Sequence, residues 1–248
     1  MCEVCGCGDT EHVSLEVHQS LLSDNDARAA HLRAHFREDG VTAINLMGSP
    51  GAGKTALLEA TARALGARRR LVAVSGDLAT TNDGERLARA GIPAETITTG
   101  SACHLEAKMI EHVLHGESLG PSIAASDFFF IENVGNLVCP AIYDLGQTAN
   151  VVALSITEGV DKPLKYPVMF RHADLVVVTK MDLLPHLPGV SLDALRDALS
   201  RVMPAPQAIY LSTVDEQGMA AWVSWLLSLR EKSLRSRPSE HRHAHPRP

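Results

Sequence analysis

Short continuous runs of apolar residues alternate along the chain with longer amphipathic stretches. The first run covers residues 41–47 and precedes a glycine-rich turn and an Ala- and Leu-rich stretch, which predicts a helix ending near Leu65. Continuous apolar runs indicate strands that are buried on both faces, as in parallel sheets covered by helices. Further runs of this kind cover residues 71–75, 128–131, 151–156, 175–179 and 208–211.

Amphipathic stretches separate most of these runs and predict helices. One helix should precede the first strand and begin at Ser23 or Asp24, because Leu32 and Phe36 then share one face. The alternation of strands and helices predicts an α/β fold with a doubly wound, mainly parallel sheet. The predicted helices cover residues 23–38, 104–114, 192–202 and 219–229.

Composition divides the chain into one domain and two tails. The 248 residues, 45% of them hydrophobic, suffice for one substantial core, which we place in residues 23–232. Residues 1–22 are polar and rich in Cys, His and acidic side chains, so we expect a flexible metal-binding tail. Residues 233–248 are basic and non-periodic, so we expect a disordered tail that contains histidines.

The charge distribution excludes several classes of partner. With a net charge of −6 and scattered basic residues, we expect no binding to nucleic acid, whose phosphates favour clustered Lys and Arg. The first residues lack a basic segment followed by an apolar one, and no apolar run is long enough to span a bilayer. We therefore expect a cytoplasmic protein without membrane contact. In that reducing compartment the five cysteines favour metal binding over disulfides.

The turn after the first predicted strand has the sequence of a phosphate-binding loop (P-loop). Its glycines allow the backbone to fold closely around phosphates, and the N-terminus of the next helix adds positive potential. We expect Lys54 to reach the β- and γ-phosphates and Thr55 to ligate Mg²⁺, with Ala56 in the same nucleotide-binding segment. The predicted P-loop comprises Gly48, Ser49, Pro50, Gly51, Ala52, Gly53, Lys54 and Thr55.

Residues after the strand at 175–179 indicate which base is bound. Thr179, Lys180 and Asp182 resemble the Asn-Lys-x-Asp motif of GTPases, in which the carboxylate accepts hydrogen bonds from the ring NH and amine of guanine. Asp182 therefore favours GTP, and the stem of Lys180 can cover the base. Ser212 follows the last predicted strand and resembles the final base-contacting loop. The alternative for Asp182 is a capping residue at a strand end.

Hydrolysis of GTP requires carboxylates near the metal and the γ-phosphate. Asp77 and Glu132 stand at the carboxyl ends of two predicted parallel strands, where ligands collect in such sheets. We assign Asp77 to water activation or to Mg²⁺, and Glu132 to the Mg²⁺ side of the catalytic site, which they share with Lys54. Either carboxylate could instead cap a helix or a turn.

Two groups of residues carry ligands for transition metals. Cys103 and His104, which we expect to open a helix, form with Cys139 a set of two thiolates and one imidazole, suited to zinc or nickel. Since three donors leave the shell incomplete, either water or a neighbouring group completes it, or a two-fold dimer joins two copies. Taken singly, either cysteine could be a small buried apolar residue.

The second group is at the amino terminus, where Cys2, Cys5 and Cys7 can wrap one soft or borderline cation. Removal of Met1 would add the free amine of Cys2 as a fourth donor and would suit square-planar Ni²⁺. A reactive tail without a metal is the alternative. His241, His243 and His245 offer weak metal binding or a solvated tail.

These motifs together resemble the hydrogenase nickel-incorporation GTPases, the HypB family, over nearly the whole chain. The resemblance implies slow GTP hydrolysis, a GTP-dependent homodimer and an interfacial metal site built on Cys103, His104 and Cys139. It also implies delivery of Ni²⁺ to the large subunit of nickel–iron hydrogenase together with a partner nickel chaperone, with Zn²⁺ possible at the same sites. The matching segments are residues 2–7, 48–55, 76–77, 103–105, 132–140 and 158–167.

The sequence departs from the family pattern at a few positions, and other families remain to be weighed. Thr179 replaces the usual Asn, from which we expect weaker bracing of the guanine site, and residues 215–217 differ from the usual loop. The urease nickel GTPases share the P-loop but carry Cys-Pro-His, whereas Ala141 follows Cys139 and Pro140 here. A metal-storage protein with a vestigial nucleotide site and a small-molecule kinase are further alternatives.

Overall fold

Seven parallel strands form one sheet in the computed structural model, which describes residues 9–77, 82–100 and 102–236. The strand order is β3-β2-β4-β1-β5-β6-β7, and every pair is parallel. The prediction of a doubly wound α/β fold is therefore confirmed. The strands are β1 (Thr42–Met47), β2 (Leu71–Asp77), β3 (Ala94–Thr98), β4 (Phe128–Glu132), β5 (Ala149–Ser155), β6 (Leu175–Thr179) and β7 (Ala208–Tyr210).

Helices cover both faces of the sheet. Helices α2, α3 and α9 pack on one face, and α1, α4, α5, α7 and α8 contribute to the apolar clusters on the other. Short 3₁₀ turns occupy Gly66–Arg68, Cys139–Ala141, Ile156–Glu158 and Met181–His186. The helices are α1 (Asp9–Asp39), α2 (Lys54–Leu65), α3 (Asn82–Arg89), α4 (Ala107–Leu114), α5 (Gly120–Ala124), α6 (Lys162–Lys165), α7 (Pro167–Arg171), α8 (Leu192–Val202) and α9 (Met219–Arg235).

The central strand β1 is buried along its length because helices cover it on both faces. All six residues of β1 are buried, with Ile44 and Leu46 facing α2 and α9, while Ala43 faces the opposite layer. On the α9 side, Trp222 is fully buried and its indole N–H donates to the Thr61 hydroxyl at 2.8 Å. That bond satisfies a buried polar group that would otherwise destabilise the core.

Three predicted helix boundaries are wrong. Helix α1 begins at Asp9 rather than at residue 23, so it extends into the segment assigned to a tail, and α9 continues to Arg235. Cys103 and His104 do not open a helix, since α4 begins only at Ala107. The backbone N–H groups of Leu105 and Ala107 donate to the side chains of Asn133 and Asn25, which hold this stretch in a non-helical path.

Several elements escaped prediction because their local pattern is weak. Strand β3 lies at the edge of the sheet and is only partly buried, so it lacks a continuous apolar run. Helix α3 reads Asn-Asp-Gly-Glu-Arg-Leu-Ala-Arg and is strongly polar. Within the parts of the chain that the structure describes, no helix is long and apolar enough to cross a membrane.

Strand register gathers the candidate site residues at one edge of the sheet. Glu132, the last residue of β4, pairs with Leu46 on one side and with Ser75 on the other. The P-loop leaves β1 at this edge, and Asp77 ends β2 there. Because the strands are parallel, their carboxyl ends open into one cleft.

Candidate functional site

The P-loop lies between β1 and α2, as its sequence predicts. Gly53 precedes α2 with φ of 89°, a left-handed conformation that favours glycine. Gly48 has φ of 148°, and a Cβ there would collide with the carbonyl oxygen of Ala153. The loop borders a cleft of about 480 Å³ onto which Lys54, Thr55 and Ala56 also open. The shape and the helix N-terminus at its base suit an anionic phosphate group.

Lys54 is buried against the loop. Its Nζ lies 3.4 Å from the carbonyl oxygen of Gly48 and 3.3 Å from that of Ser49. Burial lowers the pKa of Lys54, while the nearby carboxylates, chiefly Glu132 and Asp83, act in the opposite direction. The ammonium is thus held at the base of the cleft with weak carbonyl partners, which phosphate oxygens could replace.

Three oxygen-bearing side chains meet beside the P-loop. Thr55 Oγ1 lies 2.8 Å from Glu132 Oε1 and 3.0 Å from Asp83 Oδ1. The second oxygen of Glu132 is buried and has no hydrogen-bond partner among the residues with described positions. Burial raises the pKa of Glu132 to about 7, against the opposing effects of Lys54 and Thr55. Hard oxygen ligands of this kind fit Mg²⁺.

Asp77 lines the same cleft, and two further carboxylates that the sequence pattern does not reveal lie close to the P-loop. Asp83 lies in the first turn of α3, and its only sequence signal is an acidic residue in a polar stretch shortly after Asp77. Glu158 accepts a hydrogen bond from the Ser49 hydroxyl through Oε2 and one from the Ser155 N–H through Oε1. It stands 109 residues from Ser49, so no local pattern connects them.

The predicted guanine-binding residues surround the other end of the loop. The Thr179 hydroxyl donates to the carbonyl oxygen of Ala52 at 2.6 Å, so Thr179 retains a direct brace on the P-loop despite replacing Asn. Lys180 adopts a left-handed conformation and its Nζ donates to Gly51 O at 2.7 Å. The Ser212 hydroxyl donates to Asp182 Oδ1 at 2.7 Å and orients this carboxylate.

The loop after β7 is closed by its own hydrogen bonds. Ser212 Oγ accepts from the N–H groups of Val214 and Asp215, and Ser212 N–H donates to Gln217 O. Glu216 has φ of 61°, which permits the tight return of the chain. The residues that depart from the family pattern thus still hold Ser212 against Asp182.

Cys103, His104 and Cys139 form one cluster. Their donor atoms all lie within 4.8 Å of one another, and no other group of three such donors occurs in the described part of the chain. The two sulfur atoms are 2.7 Å apart, and Cys103 Sγ is 3.8 Å from His104 Nδ1. Hydrogen bonding to Cys103 raises the pKa of Cys139, and burial lowers the pKa of His104. A neutral imidazole and two thiols suit a borderline metal, whose binding displaces thiol protons.

A short segment joins this cluster to the P-loop. Asn136 forms an isolated antiparallel bridge with Gly48, and a Cβ on Gly135 would press against Pro50. The Asn136 side chain donates to Cys103 O at 3.3 Å and accepts from the Val138 N–H at 2.8 Å. The residue before Cys139 and the residue that carries the other thiol are therefore both attached to Asn136.

Comparison with known proteins identifies this arrangement. Residues 42–209 match the family described as "CobW/HypB/UreG, nucleotide-binding domain". The hydrogenase maturation factor HypB of Rhizobium leguminosarum bv. viciae is 45% identical over 231 residues, which cover 93% of this chain and 76% of that protein. The chain belongs to the HypB family. Membership confirms the family prediction and makes the chain a GTPase, so the kinase alternative is wrong.

Solved HypB structures have the same fold. The crystal structure of HypB from Helicobacter pylori in complex with nickel matches with a TM-score of 0.79 and 38% identity, covering 88% of this chain and 99% of that one. The HypB structure from Archaeoglobus fulgidus matches with a TM-score of 0.76 and 37% identity, covering 84% and 100%. The fold of residues flanking the cleft is thus that of the family.

Six of the predicted metal ligands lie outside the residues that the structure describes. This applies to Cys2, Cys5 and Cys7 and to the three histidines of the C-terminal segment, His241, His243 and His245. Their assignment as ligands stays a prediction. The internal cluster is the metal-binding candidate for which the structure gives distances.

Proposed function

We propose that the chain is a GTP-hydrolysing nickel metallochaperone that delivers Ni²⁺ during maturation of nickel–iron hydrogenase in the cytoplasm. The observation that carries this proposal is the Asn136 bridge, which joins the P-loop to the Cys103, His104 and Cys139 cluster. Nucleotide and metal would then act on one segment of chain. The H. pylori relative was solved in complex with nickel, which supports nickel as the cargo.

GTP hydrolysis uses the residues of the cleft. Thr55, Asp83 and Glu132 would hold Mg²⁺, directly or through water, and the unpartnered oxygen of Glu132 supports this role. Mg²⁺ held there would supply positive charge to the phosphate oxygens. Lys54 binds the β- and γ-phosphate oxygens, and Asp77 orients the attacking water at the edge of β2. Asp182, held by Ser212, selects guanine.

The metal cargo would bind at the cluster through two sulfurs and one nitrogen. Such donors accept Ni²⁺ and Zn²⁺ and disfavour Mg²⁺. The three side chains are half-buried, so the cation can enter and leave. Cys2, Cys5 and Cys7 would supply a separate site, which passes or stores the same metal.

A second copy of the chain would complete the metal shell. Four exposed apolar side chains lie on or beside the Cys139–Ala141 turn and on α6 and α7, and α7 contacts that turn. Such side chains close to an incomplete site favour a two-fold homodimer. The four residues are Val138, Ile142, Leu164 and Val168. A partner nickel chaperone and the hydrogenase large subunit would bind as donor and acceptor of the metal.

Metal titration tests the coupling between the two sites. Purified chain is titrated with Ni²⁺ and Zn²⁺ in the presence of GDP and of a non-hydrolysable GTP analogue. Exchange of GDP for the analogue should change Ni²⁺ affinity at the cluster by about fivefold or more. The change should disappear in Cys103→Ala and persist when Cys2, Cys5 and Cys7 are all replaced by alanine. An affinity that is indifferent to nucleotide would contradict the proposal.

Light scattering tests the homodimer. Ile142→Asp should weaken dimerisation with the GTP analogue and Ni²⁺, because it places a charge in the proposed apolar contact. Leu234→Asp is the matched control, since Leu234 is also an exposed apolar residue but belongs to α9. Equal dimerisation of both variants would place the interface elsewhere.

A further inference from the structure

The imidazole of His104 is contacted on three sides. Its Nδ1 lies 3.8 Å from Cys103 Sγ, and its Nε2 lies 3.7 Å from Glu106 Oε1. The ring of Tyr143 stacks on the imidazole with centroids 3.8 Å apart and planes inclined by 22°. The nitrogen that faces Glu106 is buried and lacks a hydrogen-bond partner in the described portion of the chain.

We propose that Glu106 is a positioning residue that keeps the Nε2 of His104 protonated and thereby presents Nδ1 as the metal-binding atom. The inference rests on the proposed metal site and concerns how that site is oriented. Histidine ligands commonly donate their second ring N–H to a carboxylate, which fixes the tautomer and strengthens the ligand. Here the two ring nitrogens face a sulfur and a carboxylate respectively, as that role requires.

The carboxylate of Glu106 is itself anchored. Lys108 Nζ lies 2.9 Å from Glu106 Oε2, which leaves Oε1 on the side of His104. The backbone is fixed on either side of Glu106. The N–H of Leu105 donates to the side chain of Asn133, which follows β4, and the N–H of Ala107 donates to the side chain of Asn25 in α1. Glu106 therefore has little freedom to turn away from the imidazole.

The side chains of His104 and Glu106 stop just short of a hydrogen bond. At 3.7 Å, Nε2 and Oε1 are farther apart than a hydrogen bond of about 2.7–3.2 Å. A small shift of either side chain would bring Nε2 and Oε1 within that range. A cation held at Nδ1 would make the Nε2 proton more acidic and so strengthen its attraction to Glu106.

Two measurements on the full chain test this role. In the metal-free protein, long-range ¹H–¹⁵N NMR correlations should assign His104 to the Nε2–H tautomer, and Glu106→Ala should shift it toward a mixture. In Zn²⁺ and Ni²⁺ competition titrations, Glu106→Ala should weaken binding at the cluster roughly 10- to 100-fold. Glu106→Gln, which retains an acceptor oxygen, should restore part of the affinity and the tautomer.

Glu111→Gln is the matched control. Glu111 lies on α4, which begins directly after Glu106, but its carboxylate pairs with Arg28 of α1 at 2.8 Å and is not in the cluster. It should change neither readout. An Nδ1–H tautomer in the wild-type chain, or full affinity in Glu106→Ala alongside weakened affinity in Cys103→Ala, overturns the positioning role. If Cys103→Ala instead keeps the full metal affinity, the proposed metal site is wrong. The tautomer of His104 then still decides whether Glu106 orients the ring.

Discussion

The nucleotide cleft and the cysteine cluster lie at the same edge of the sheet but are built differently. Side chains in the cleft already bond one another, as in the contacts of Thr55 with Glu132 and of Ser212 with Asp182. The cluster has half-buried donors on irregular backbone, positioned through Asn133 and Asn136. The nucleotide site is therefore preorganised, whereas the metal site depends on a segment that also contacts the P-loop.

Lys54→Ala should have the largest effect on the nucleotide cleft while leaving the cysteine cluster unchanged. Loss of a buried cation at the phosphates should lower GTP turnover roughly 10²- to 10³-fold, comparable to removal of an essential transition-state contact. Ni²⁺ affinity of the nucleotide-free variant should stay within about twofold of wild type, as expected for sites that couple only through nucleotide. Steady-state phosphate release and metal titration check both.

Lys232→Ala serves as the matched control, because Lys232 lies in the last turn of α9 and shares a pocket with Val41 before the start of β1, whereas the P-loop follows the end of that strand. It should leave turnover unchanged. If Lys54→Ala alters metal affinity without nucleotide, the two regions are coupled even when empty of ligand.

Glu132→Gln should show what the preorganised cleft costs in stability. The folded chain keeps the Glu132 proton up to a pKa of about 7, while the unfolded chain releases it near 4.5, so the folded state binds more protons between these values. The contribution of Glu132 to the free energy of unfolding of the wild type therefore falls as pH rises through that window. The variant, which cannot ionise, should gain roughly 2–3 kcal/mol relative to wild type between pH 5 and pH 8.

Urea unfolding in EDTA without nucleotide measures this difference. Glu117→Gln, a change at an exposed glutamate that leaves Glu132 in place, should instead give a stability curve parallel to that of wild type. A Glu132→Gln curve parallel to wild type would mean that the carboxylate is not strained by burial.

The contrast between the regions also explains what the sequence could predict. The P-loop is continuous and lies between an apolar run and a helix, so its position follows from local pattern. Asp83 and Glu158 reach the P-loop and the start of α2 from segments that show no pattern for this role, and only the fold brings them near Thr55 and Ser49.

Boundaries around the cluster failed for a related reason. Residues 104–114 have helical periodicity, yet the side chains of Asn133 and Asn25 accept from the backbone N–H groups of Leu105 and Ala107 and delay the helix. Asn25 is 82 residues from its partner, a separation that no window of sequence covers. The cysteine and histidine ligands were nevertheless recognisable, because their chemistry identifies them without a known backbone.

Ser212→Ala tests how far the guanine-binding carboxylate of Asp182 is preorganised. It removes the 2.7 Å hydrogen bond to Asp182, a bond to a charged group worth about 1.5 kcal/mol, and should weaken GDP binding roughly tenfold. Inosine diphosphate, which lacks the exocyclic amine, should lose less. Isothermal titration measures both nucleotides, with Ser200→Ala on the exposed side of α8 as control. Equal losses for both nucleotides would argue against a role of Ser212 in guanine recognition.

The smallest effect should come from Asn136→Ala, which keeps the backbone bridge to Gly48 but removes the side-chain contacts to the cluster. Loss of its contacts to Cys103 O and Val138 N–H, worth about 1 kcal/mol, should weaken metal binding roughly fivefold. Nucleotide affinity without metal should not change, but the difference in Ni²⁺ affinity between GDP and the GTP analogue should shrink. A full nucleotide response in this variant would direct attention to another connection, such as Gly135 against Pro50.

The strand order has a consequence for how the protein is made. Strand β1 is synthesised first but lies at the centre of the sheet, and it pairs only with β4 and β5, which leave the ribosome about a hundred residues later. Trp222 and Arg230 of α9 close the layer over α2 and the strand starts only after all seven strands have been made. The nascent chain must therefore keep β1 from aggregating until β4 and β5 emerge, and we expect its yield to depend on chaperones.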